Sequence, residues 1–360
     1  MKSPFSERCR KLKKQLEASE LDALLVTKRS NWYYLTGFTG DAGALVVSRK
    51  GITLITDGRF TVQAKAETAG IRVLLQRKGL YEDTGEVLKR QAVKRIGFDP
   101  QQLSVAQWNT VRKASRGAGA WVASSGLVET LRMRKESAEL TAMRKAALLA
   151  GQVLEGVLKL LKPGVRETEI GAEIEYQMRK QGAAGVSFES IVASGPRSAL
   201  PHAHPTAKRV RKNELVVLDL GAILHHYCSD ITRTIYVGRT PPRIRNWYQA
   251  VKEAQQAAIA AIRPGVMCGD VDAAARQVLA GYGLDQYFVH STGHGLGLEV
   301  HEEPRLARGQ KRKLEAGNVI TIEPGVYVAG VGGIRIEDDV LVTATSSEVL
   351  TRVTRDLIEL

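Results

Sequence analysis

The sequence predicts an α/β domain followed by a larger domain that is built from two similar halves. Two observations support this prediction. Helix-favouring and strand-favouring segments alternate over the first 131 residues, and turns and helices recur at an offset of 101 residues in the remainder. All seven histidines lie within one 100-residue window of the second domain, which indicates where the chemistry takes place. A length of 360 residues also suits two domains, at roughly 100–200 residues each.

The first domain is assigned to residues 1–131. Strands are predicted at Ala23–Val26, Ala44–Val47, Ile52–Thr56 and Arg95–Phe98, and helices at Pro4–Ser19 and Glu86–Val93. The last strand ends at Asp99-Pro100, because proline has no N–H group with which to continue a ladder. Since helices alternate with strands, we expect a partly parallel sheet.

The second domain, residues 132–360, opens with the helix-favouring stretch Leu131–Ala150 and contains an internal repeat. Two Pro-Gly turns, Lys162–Val165 and Arg263–Val266, mark the repeat at its offset of 101 residues. Each copy then reaches a basic turn, Lys208–Asn213 or Lys311–Lys313, and a β-rich stretch. Two such halves are expected to pack about a pseudo-two-fold axis and to bring equivalent positions to a shared centre.

Each half carries two acidic residues in neighbouring strand-favouring stretches. Asp219 and Asp230 are expected to face each other across a hairpin, and Glu323 and Glu337 occupy a similar pair of apolar strands. One carboxylate in an apolar strand is most simply explained by solvent or a basic partner. Four at symmetric positions are better explained by divalent metal ions, because uncompensated buried carboxylates are costly. Their charge suffices for two bridged cations, and oxygen-rich ligation favours metals such as Mn²⁺.

Histidines supply the remaining candidate groups at this centre. His294 is flanked by glycines, which allow close backbone approach, and is the best candidate for a metal-bound nitrogen. His301 fits a proton donor or a substrate contact, and His202 in the first half can reach the same centre. Cys228 is interpreted as packing beside the site, because a thiolate suits an oxygen-rich centre poorly.

The composition excludes several other classes of protein. No stretch approaches the ~20 consecutive apolar residues of a membrane span, so no membrane partner is expected, and the charged N-terminal stretch is unlike a signal peptide. Three scattered cysteines do not form a disulfide framework, which predicts a cytoplasmic protein. The net charge of +14 permits an anionic partner, but the basic clusters are short and lack interleaved aromatic residues, which disfavours nucleic acid.

These motifs resemble the pita-bread metallopeptidases, the family of methionine aminopeptidase, aminopeptidase P, prolidase and creatinase. The resemblance to its Xaa-Pro branch covers essentially the whole chain. It rests on VLDLGA, YCSDITRT, STGHGLGLEVHE, TIEPGVYV and GGIRIEDD, and on NWYYLTGFTGDAGALVV and TDGRF near the N-terminus. It implies a creatinase/prolidase N-terminal-like α/β domain, followed by an α+β pita-bread catalytic domain with an internal pseudo-two-fold repeat.

The resemblance also implies roles for individual residues. Two divalent ions, Mn²⁺ with Co²⁺ or Zn²⁺ as alternatives, would be bridged by Asp230 and Glu337. Asp219 would complete one ion, and His294 and Glu323 the other. The implied catalytic residues are His202, His301 and Glu323, which position the substrate, stabilise the intermediate and shuttle a proton. The implied substrate-binding residues are His290, Tyr327 and Arg335.

The activity implied is hydrolysis of the bond between an N-terminal residue and proline by a metal-bridging hydroxide, as in an Xaa-Pro aminopeptidase. An Xaa-Pro dipeptidase restricted to dipeptides is the alternative, and a non-catalytic binding module on the same fold is a remoter one. The expected partners are proline-containing peptides or dipeptides and a second copy of the chain in a homodimer.

Overall fold

The computed structural model describes residues 4–68 and 70–360. The chain divides into two compact units, Met1–Arg132 and Met133–Leu360. None of the helices in this described part combines the length and the apolarity that a membrane span requires.

The first unit is a mixed six-stranded sheet with helices. Its strands are β1 (Ala23–Val26), β2 (Ala44–Ser48), β3 (Gly51–Thr56), β4 (Arg72–Leu75), β5 (Arg95–Phe98) and β6 (Ala120–Ala123). Its helices are α1 (Pro4–Ala18), α2 (Arg29–Thr36), α3 (Thr61–Glu67), α4 (Leu80–Gln91), α5 (Val105–Ala114) and α6 (Leu127–Arg132). The strand order is β4-β3-β2-β1-β5-β6, with the β3–β4, β1–β5 and β5–β6 pairs parallel. The predicted partly parallel sheet is confirmed.

The second unit contains the two longest helices of the described part of the chain and the remaining strands. Its helices are α7 (Ser137–Leu158), α8 (Glu167–Lys180), α9 (Pro242–Ala261) and α10 (Cys268–Gly281). Its strands are β7 (Gly185–Val186), β8 (Ile191–Ser194), β9 (Glu214–Leu220), β10 (Ala222–Leu224), β11 (Tyr227–Cys228), β12 (Ile231–Val237), β13 (Gly293–Gly295), β14 (Glu302–Leu306), β15 (Val319–Ile322), β16 (Gly325–Val328), β17 (Gly332–Arg335), β18 (Asp338–Val342), β19 (Ser347–Val349) and β20 (Ile358–Glu359).

The two halves of this unit repeat the same local structure, which confirms the predicted duplication. The backbone N–H of Gly164 donates to the carbonyl of Val210, and that of Gly265 donates to the carbonyl of Leu314, each at 2.8 Å. Both glycines have a left-handed φ, of 99° and 90°, which glycine adopts without a steric penalty. This conformational need explains why a Pro-Gly turn stands at the same point of each copy.

Each half also has its own apolar core. In the first half, α7 and α8 pack on the sheet β20-β12-β9-β8, with Val153 and Val216 fully buried. In the second half, α9 and α10 pack on the sheet β14-β13-β15-β18-β19, where Val251 and Ile320 are fully buried.

One detail of the predicted hairpin is wrong. Strands β9 and β12 pair antiparallel, but Asp219 lies opposite Thr232 and not opposite Asp230. The chain between the two strands forms a second small hairpin, β10–β11, and Asp230 precedes the first paired residue of β12. The two carboxylates are therefore offset along the sheet.

Candidate metal centre

Four acidic side chains lie at matching ends of two antiparallel strand pairs. Asp219 is the penultimate residue of β9, and Asp230 immediately precedes β12. Glu323 immediately follows β15, and Glu337 immediately precedes β18. Glu323 retains 17% of its side-chain exposure, and the other three are buried. Each half thus contributes two carboxylates, as the symmetry of the sequence predicts.

These carboxylates oppose ionisation in one another. Burial, reinforced by the charges of Glu337 and Asp219, raises the pKa of Asp230 well above its ordinary value. Burial likewise raises the pKa of Glu337, with Glu323 and Asp219 adding to the shift. Burial is also the main cause of the raised pKa of Glu323. A buried cluster of this kind gains from a cation, which removes the repulsion between its charged forms.

The orientation of the side chains fits a bound cation. Ligand atoms of Asp230, His294 and Glu337 all lie within 4.8 Å of one another. The Oδ1 atoms of Asp219 and Asp230 are buried and have no hydrogen-bond partner among the residues that the structure describes. Unpartnered buried carboxylate oxygens are costly, whereas oxygen is the donor that hard divalent cations prefer. The residues present therefore fit a site for divalent metal ions.

His294 offers a nitrogen to the same cluster. Its Nε2 lies 3.4 Å from Glu323 Oε1 and 3.9 Å from Asp230 Oδ2. Its Nδ1 lies 2.9 Å from the carbonyl oxygen of Gly295, so the proton is assigned to Nδ1 and Nε2 keeps a free lone pair. Burial lowers the pKa of His294, which favours this neutral form. A Cβ at Gly293 would overlap the carbonyl of Thr321, so the flanking glycine permits close packing of β13 on β15.

Arg335 and Thr232 hold the carboxylates from one side. Arg335 Nη2 lies 2.5 Å from Asp219 Oδ2, and its Nε donates to Thr232 Oγ1 at 3.0 Å. Thr232 Oγ1 in turn donates to Glu337 Oε2 at 2.6 Å. In both Asp219 and Glu337, one carboxylate oxygen is therefore held by a hydrogen bond within the protein, and this bond orients the second oxygen.

His290 and Tyr327 extend this chain of contacts. Tyr327 Oη lies 2.7 Å from Arg335 Nη1 and 2.8 Å from His290 Nε2. Burial lowers the pKa of His290 and raises the pKa of Tyr327 to about 12, so both side chains are neutral at pH 7. The three predicted substrate-binding residues are thus joined in one network with Asp219.

The other two predicted histidines are exposed. The His301 ring lies 4.4 Å from the His294 ring, centroid to centroid, in an edge-to-face arrangement. Burial of its ring, then repulsion from His294, lowers the pKa of His301. The carbonyl oxygen of Pro201, the residue before His202, accepts a hydrogen bond from Arg335 Nη1 at 3.2 Å, so His202 stands beside the same network. Their exposure leaves both accessible to a molecule that enters from solvent.

The structure therefore brings all ten residues singled out from the sequence close together. They are His202, Asp219, Asp230, His290, His294, His301, Glu323, Tyr327, Arg335 and Glu337. Asp219, Asp230, His294, Glu323 and Glu337 form the cluster, and the remaining five surround it.

The sequence analysis missed a second set of polar residues that supports the first. Thr321 Oγ1 donates to Glu323 Oε1 at 3.3 Å and accepts from the backbone N–H of His294 at 3.1 Å. Asp339 Oδ2 accepts from the backbone N–H of Asp230 at 3.1 Å. Thr321 and Asp339 each stand two residues from a predicted ligand, on the same face of an extended strand. Because residues two apart in an extended strand share a face, this spacing from the predicted ligands is the sequence signal that identifies Thr321 and Asp339.

A buried ion pair lies behind the cluster. Asp338 and Arg233 are fully buried, and Arg233 Nη2 lies 2.8 Å from Asp338 Oδ1. Burial acts to raise the pKa of Asp338, but the charges of Arg233 and Arg355 outweigh it and lower the pKa overall. The carboxylate of Asp338 is therefore ionised and paired, in contrast to those of the cluster.

Comparison with known proteins identifies similar chains over the full length. Residues 141–344 match the model of metallopeptidase family M24, and residues 8–134 match the creatinase/prolidase N-terminal domain. A Xaa-Pro dipeptidase from Pyrococcus furiosus is 36% identical over 98% of this chain and 100% of its own. The structure of a Xaa-Pro dipeptidase from Bacillus anthracis superposes with a TM-score of 0.96, at 37% identity over 99% of this chain and 100% of its own. An X-Pro aminopeptidase from Thermotoga maritima superposes with a TM-score of 0.89, at 33% identity over 98% and 100%. These matches confirm the predicted fold class, an α/β domain followed by a pita-bread domain.

Proposed function

Because this chain belongs to metallopeptidase family M24, we propose that it hydrolyses the peptide bond between an N-terminal residue and proline. The observation that carries this proposal is the cluster of four carboxylates and one imidazole, together with its unpartnered buried oxygens. A binding module has no need of this complete donor set, so we set that alternative aside.

The substrate is either a dipeptide or a longer peptide. The sequence alone favoured an Xaa-Pro aminopeptidase, with the dipeptidase as the alternative. Two of the three relatives described above are named Xaa-Pro dipeptidases, and one is named an X-Pro aminopeptidase. These names support both forms of the activity and make a dipeptide the first substrate to test.

The proposed metal ligands are Asp219, Asp230, His294, Glu323 and Glu337. We propose Mn²⁺ as the metal, with Co²⁺ or Zn²⁺ as alternatives, because the donors are four carboxylates and one imidazole. Divalent ions bound there would act as Lewis acids toward the substrate carbonyl and would lower the pKa of the attacking water. The family resemblance makes Asp230 and Glu337 the residues that would be shared by the two ions, and their ligand atoms lie within 4.8 Å of each other.

The chain's own residues then handle substrate and protons. Glu323 is the proposed proton carrier, which would accept a proton from water and pass it to the leaving nitrogen of proline, and its partial exposure within the cluster supports this role. His301 and His202 lie on the exposed side and are proposed to donate hydrogen bonds to the substrate carbonyl as negative charge develops on it. His290 and Tyr327 are proposed to contact the proline side of the substrate.

Hydrolysis of Ala-Pro, Ala-Pro-Ala and Ala-Ala tests the proposal. The chelator-treated protein is assayed alone and after addition of Mn²⁺, Co²⁺ or Zn²⁺. We expect metal-dependent release of alanine from Ala-Pro and none from Ala-Ala. Cleavage of Ala-Pro-Ala at a comparable rate would identify an aminopeptidase. Failure of every metal to restore cleavage of either proline substrate would refute the proposed function.

We further propose that the protein is a cytoplasmic homodimer. All three cysteine side chains are buried and none takes part in a disulfide, which supports a reducing compartment. The dimer rests on the family resemblance, and light scattering of the protein after size-exclusion chromatography tests it. A mass near 39 kDa in place of twice that value would refute the dimer.

A further inference from the structure

The buried pair of Arg233 and Asp338 lies directly behind two residues of the proposed metal centre. Arg233 follows Thr232 in β12, and Asp338 follows Glu337 at the start of β18. Both members of the pair are fully buried. An ion pair removed from water is weak evidence for stability, because the loss of hydration offsets the attraction between the charges. The geometry that the pair imposes is therefore the better explanation for its presence.

The guanidinium of Arg233 uses every one of its donors. Nε donates one hydrogen bond, and Nη1 and Nη2 donate two each, at 2.6–2.9 Å. The acceptors are the carbonyl oxygens of Thr232, Glu337, Val353 and Thr354 and the carboxylate of Asp338. A planar guanidinium has five donors in fixed directions, so this arrangement fixes the relative positions of three chain segments.

Two of those acceptors belong to residues whose side chains point to the metal centre. Thr232 Oγ1 donates to the carboxylate of Glu337, and the backbone N–H of Glu337 donates to the carbonyl of Thr232 at 3.1 Å. Successive side chains of a strand point to opposite faces. Arg233 thus binds from the rear the same two peptide groups from which Thr232 and Glu337 project forward.

Asp338 connects this arrangement to the C-terminal segment 351–355. Its carboxylate accepts from Gln255 Nε2 at 2.6 Å and also from Thr351 Oγ1 and Arg355 Nε in close contacts. We propose that Arg233 is a positioning residue for Glu337, the proposed metal ligand. Segment 351–355 in turn holds the Arg233 side chain in place. This inference rests on the proposed metal centre. It assigns part of the metal affinity to residues that do not contact the ion.

Replacement of Arg233 by lysine tests the inference. Lysine keeps a positive charge opposite Asp338, but a single ammonium does not reach the carbonyls of Glu337, Val353 and Thr354 together. We expect the dissociation constant for Mn²⁺ to rise about 10–100-fold, as is typical when a group that supports a metal ligand is removed. Isothermal titration of the full chain with Mn²⁺ measures the constant, and the Mn²⁺ EPR spectrum reports the altered coordination.

Two controls separate positioning from general stability. Arg144→Gln breaks an exposed bidentate pair with Glu348 in the same unit, and Val251→Ala opens a cavity in the second core. Both are expected to bind Mn²⁺ with wild-type affinity, although Val251→Ala lowers the melting temperature. Wild-type affinity and EPR spectrum in Arg233→Lys would overturn the inference.

A third variant covers the case in which Arg233→Lys does not fold. Arg355→Gln removes one donor to Asp338 from a side chain that is 27% exposed, and we expect a several-fold weaker affinity. Wild-type Mn²⁺ affinity in Arg355→Gln would then overturn the inference. If the wild-type protein binds none of Mn²⁺, Co²⁺ and Zn²⁺, the metal centre and the inference both fail. If the wild-type protein binds Mn²⁺ and the variants match it, the inference alone fails.

Discussion

Replacing Asp230 by asparagine has opposite expected effects with and without metal. The substitution removes one negative charge from the cluster and keeps nearly the same shape. Without metal, that charge is unfavourable, because burial and the neighbouring carboxylates raise the pKa of Asp230. With metal, the same charge is a proposed bridging ligand. We therefore expect Asp230→Asn to stabilise the metal-free protein and to weaken metal binding.

The size of the first effect follows from the separation of the charges. Ligand atoms of Asp230 and Glu337 lie within 4.8 Å, and two unit charges at that distance repel by about 3 kcal/mol at an effective dielectric constant of ~20. Protonation relieves part of this repulsion, so about 1–2 kcal/mol is expected to remain at neutral pH. Since 1 kcal/mol shifts the melting temperature of a domain of this size by about 2–4 °C, the metal-free variant should melt about 2–8 °C higher.

With metal bound, the wild-type protein is expected to be more stable than Asp230→Asn. At a free Mn²⁺ concentration of ~1,000 times its dissociation constant, the wild-type protein gains about 4 kcal/mol from binding, whereas a hundredfold weaker variant gains about 1.4 kcal/mol. Differential scanning fluorimetry in EDTA and in Mn²⁺ measures both quantities, and elemental analysis gives the metal content. A metal-free Asp230→Asn protein that melts below the wild type would refute the electrostatic reasoning. Wild-type hydrolysis in the presence of metal would refute the ligand assignment.

Two further predictions concern pH and catalysis. The difference in melting temperature between metal-free Asp230→Asn and the metal-free wild type should grow as pH rises above ~4. The Asp230 carboxyl has a raised pKa in the folded state, so it keeps its proton there at pH values where the unfolded chain loses it. The wild-type protein therefore loses stability as pH rises above the unfolded pKa, whereas the variant has no such carboxyl. Melting temperatures of both proteins in EDTA between pH 4 and pH 8 check this, and a constant difference would contradict it. His301→Ala should keep its metal but lose about 10²–10³-fold in kcat, because one positioned donor is removed. Metal content and steady-state kinetics check this, and loss of metal would show that His301 is a ligand.

The fold was predictable where local pattern and final structure agree. Strands β1 and β5 have the bounds predicted for them, because β1 is a short apolar run and β5 is ended by Asp99-Pro100. The helix predicted at Glu86–Val93 instead spans Leu80–Gln91. Its first half includes Gly85, a poor helix residue, whose missing side chain allows close packing: a Cβ there would lie 2.8 Å from the carbonyl oxygen of Val111 in α5. The packing of α4 against α5 therefore explains why a glycine stands within the helix, and this packing cannot be derived from the sequence of the segment alone.

The four carboxylates of the site were predictable from the sequence, but the contacts that support them were not. The duplication and the cost of buried charge were enough to select Asp219, Asp230, Glu323 and Glu337 from the sequence. The supporting contacts depend on strand register, which the sequence left open. Thr232 lies opposite Asp219 because the intervening hairpin shifts the pairing, and its hydroxyl contacts Glu337 from the other half of the domain.

Because the proposed ligands come from both halves of the second unit, a bound metal ion would connect the two halves. Each half is built mainly around one apolar core, and the proposed ligands come from both halves, Asp219 and Asp230 from the first and Glu323 and Glu337 from the second. A cation held by both pairs would add a further link to the hydrogen bonds that already join the halves, such as that from the backbone N–H of Glu337 to the carbonyl of Thr232. We expect loss of the ion to loosen the contact between the halves before it unfolds either core. Amide exchange at the strand ends should report metal occupancy while exchange deep in both cores stays unchanged.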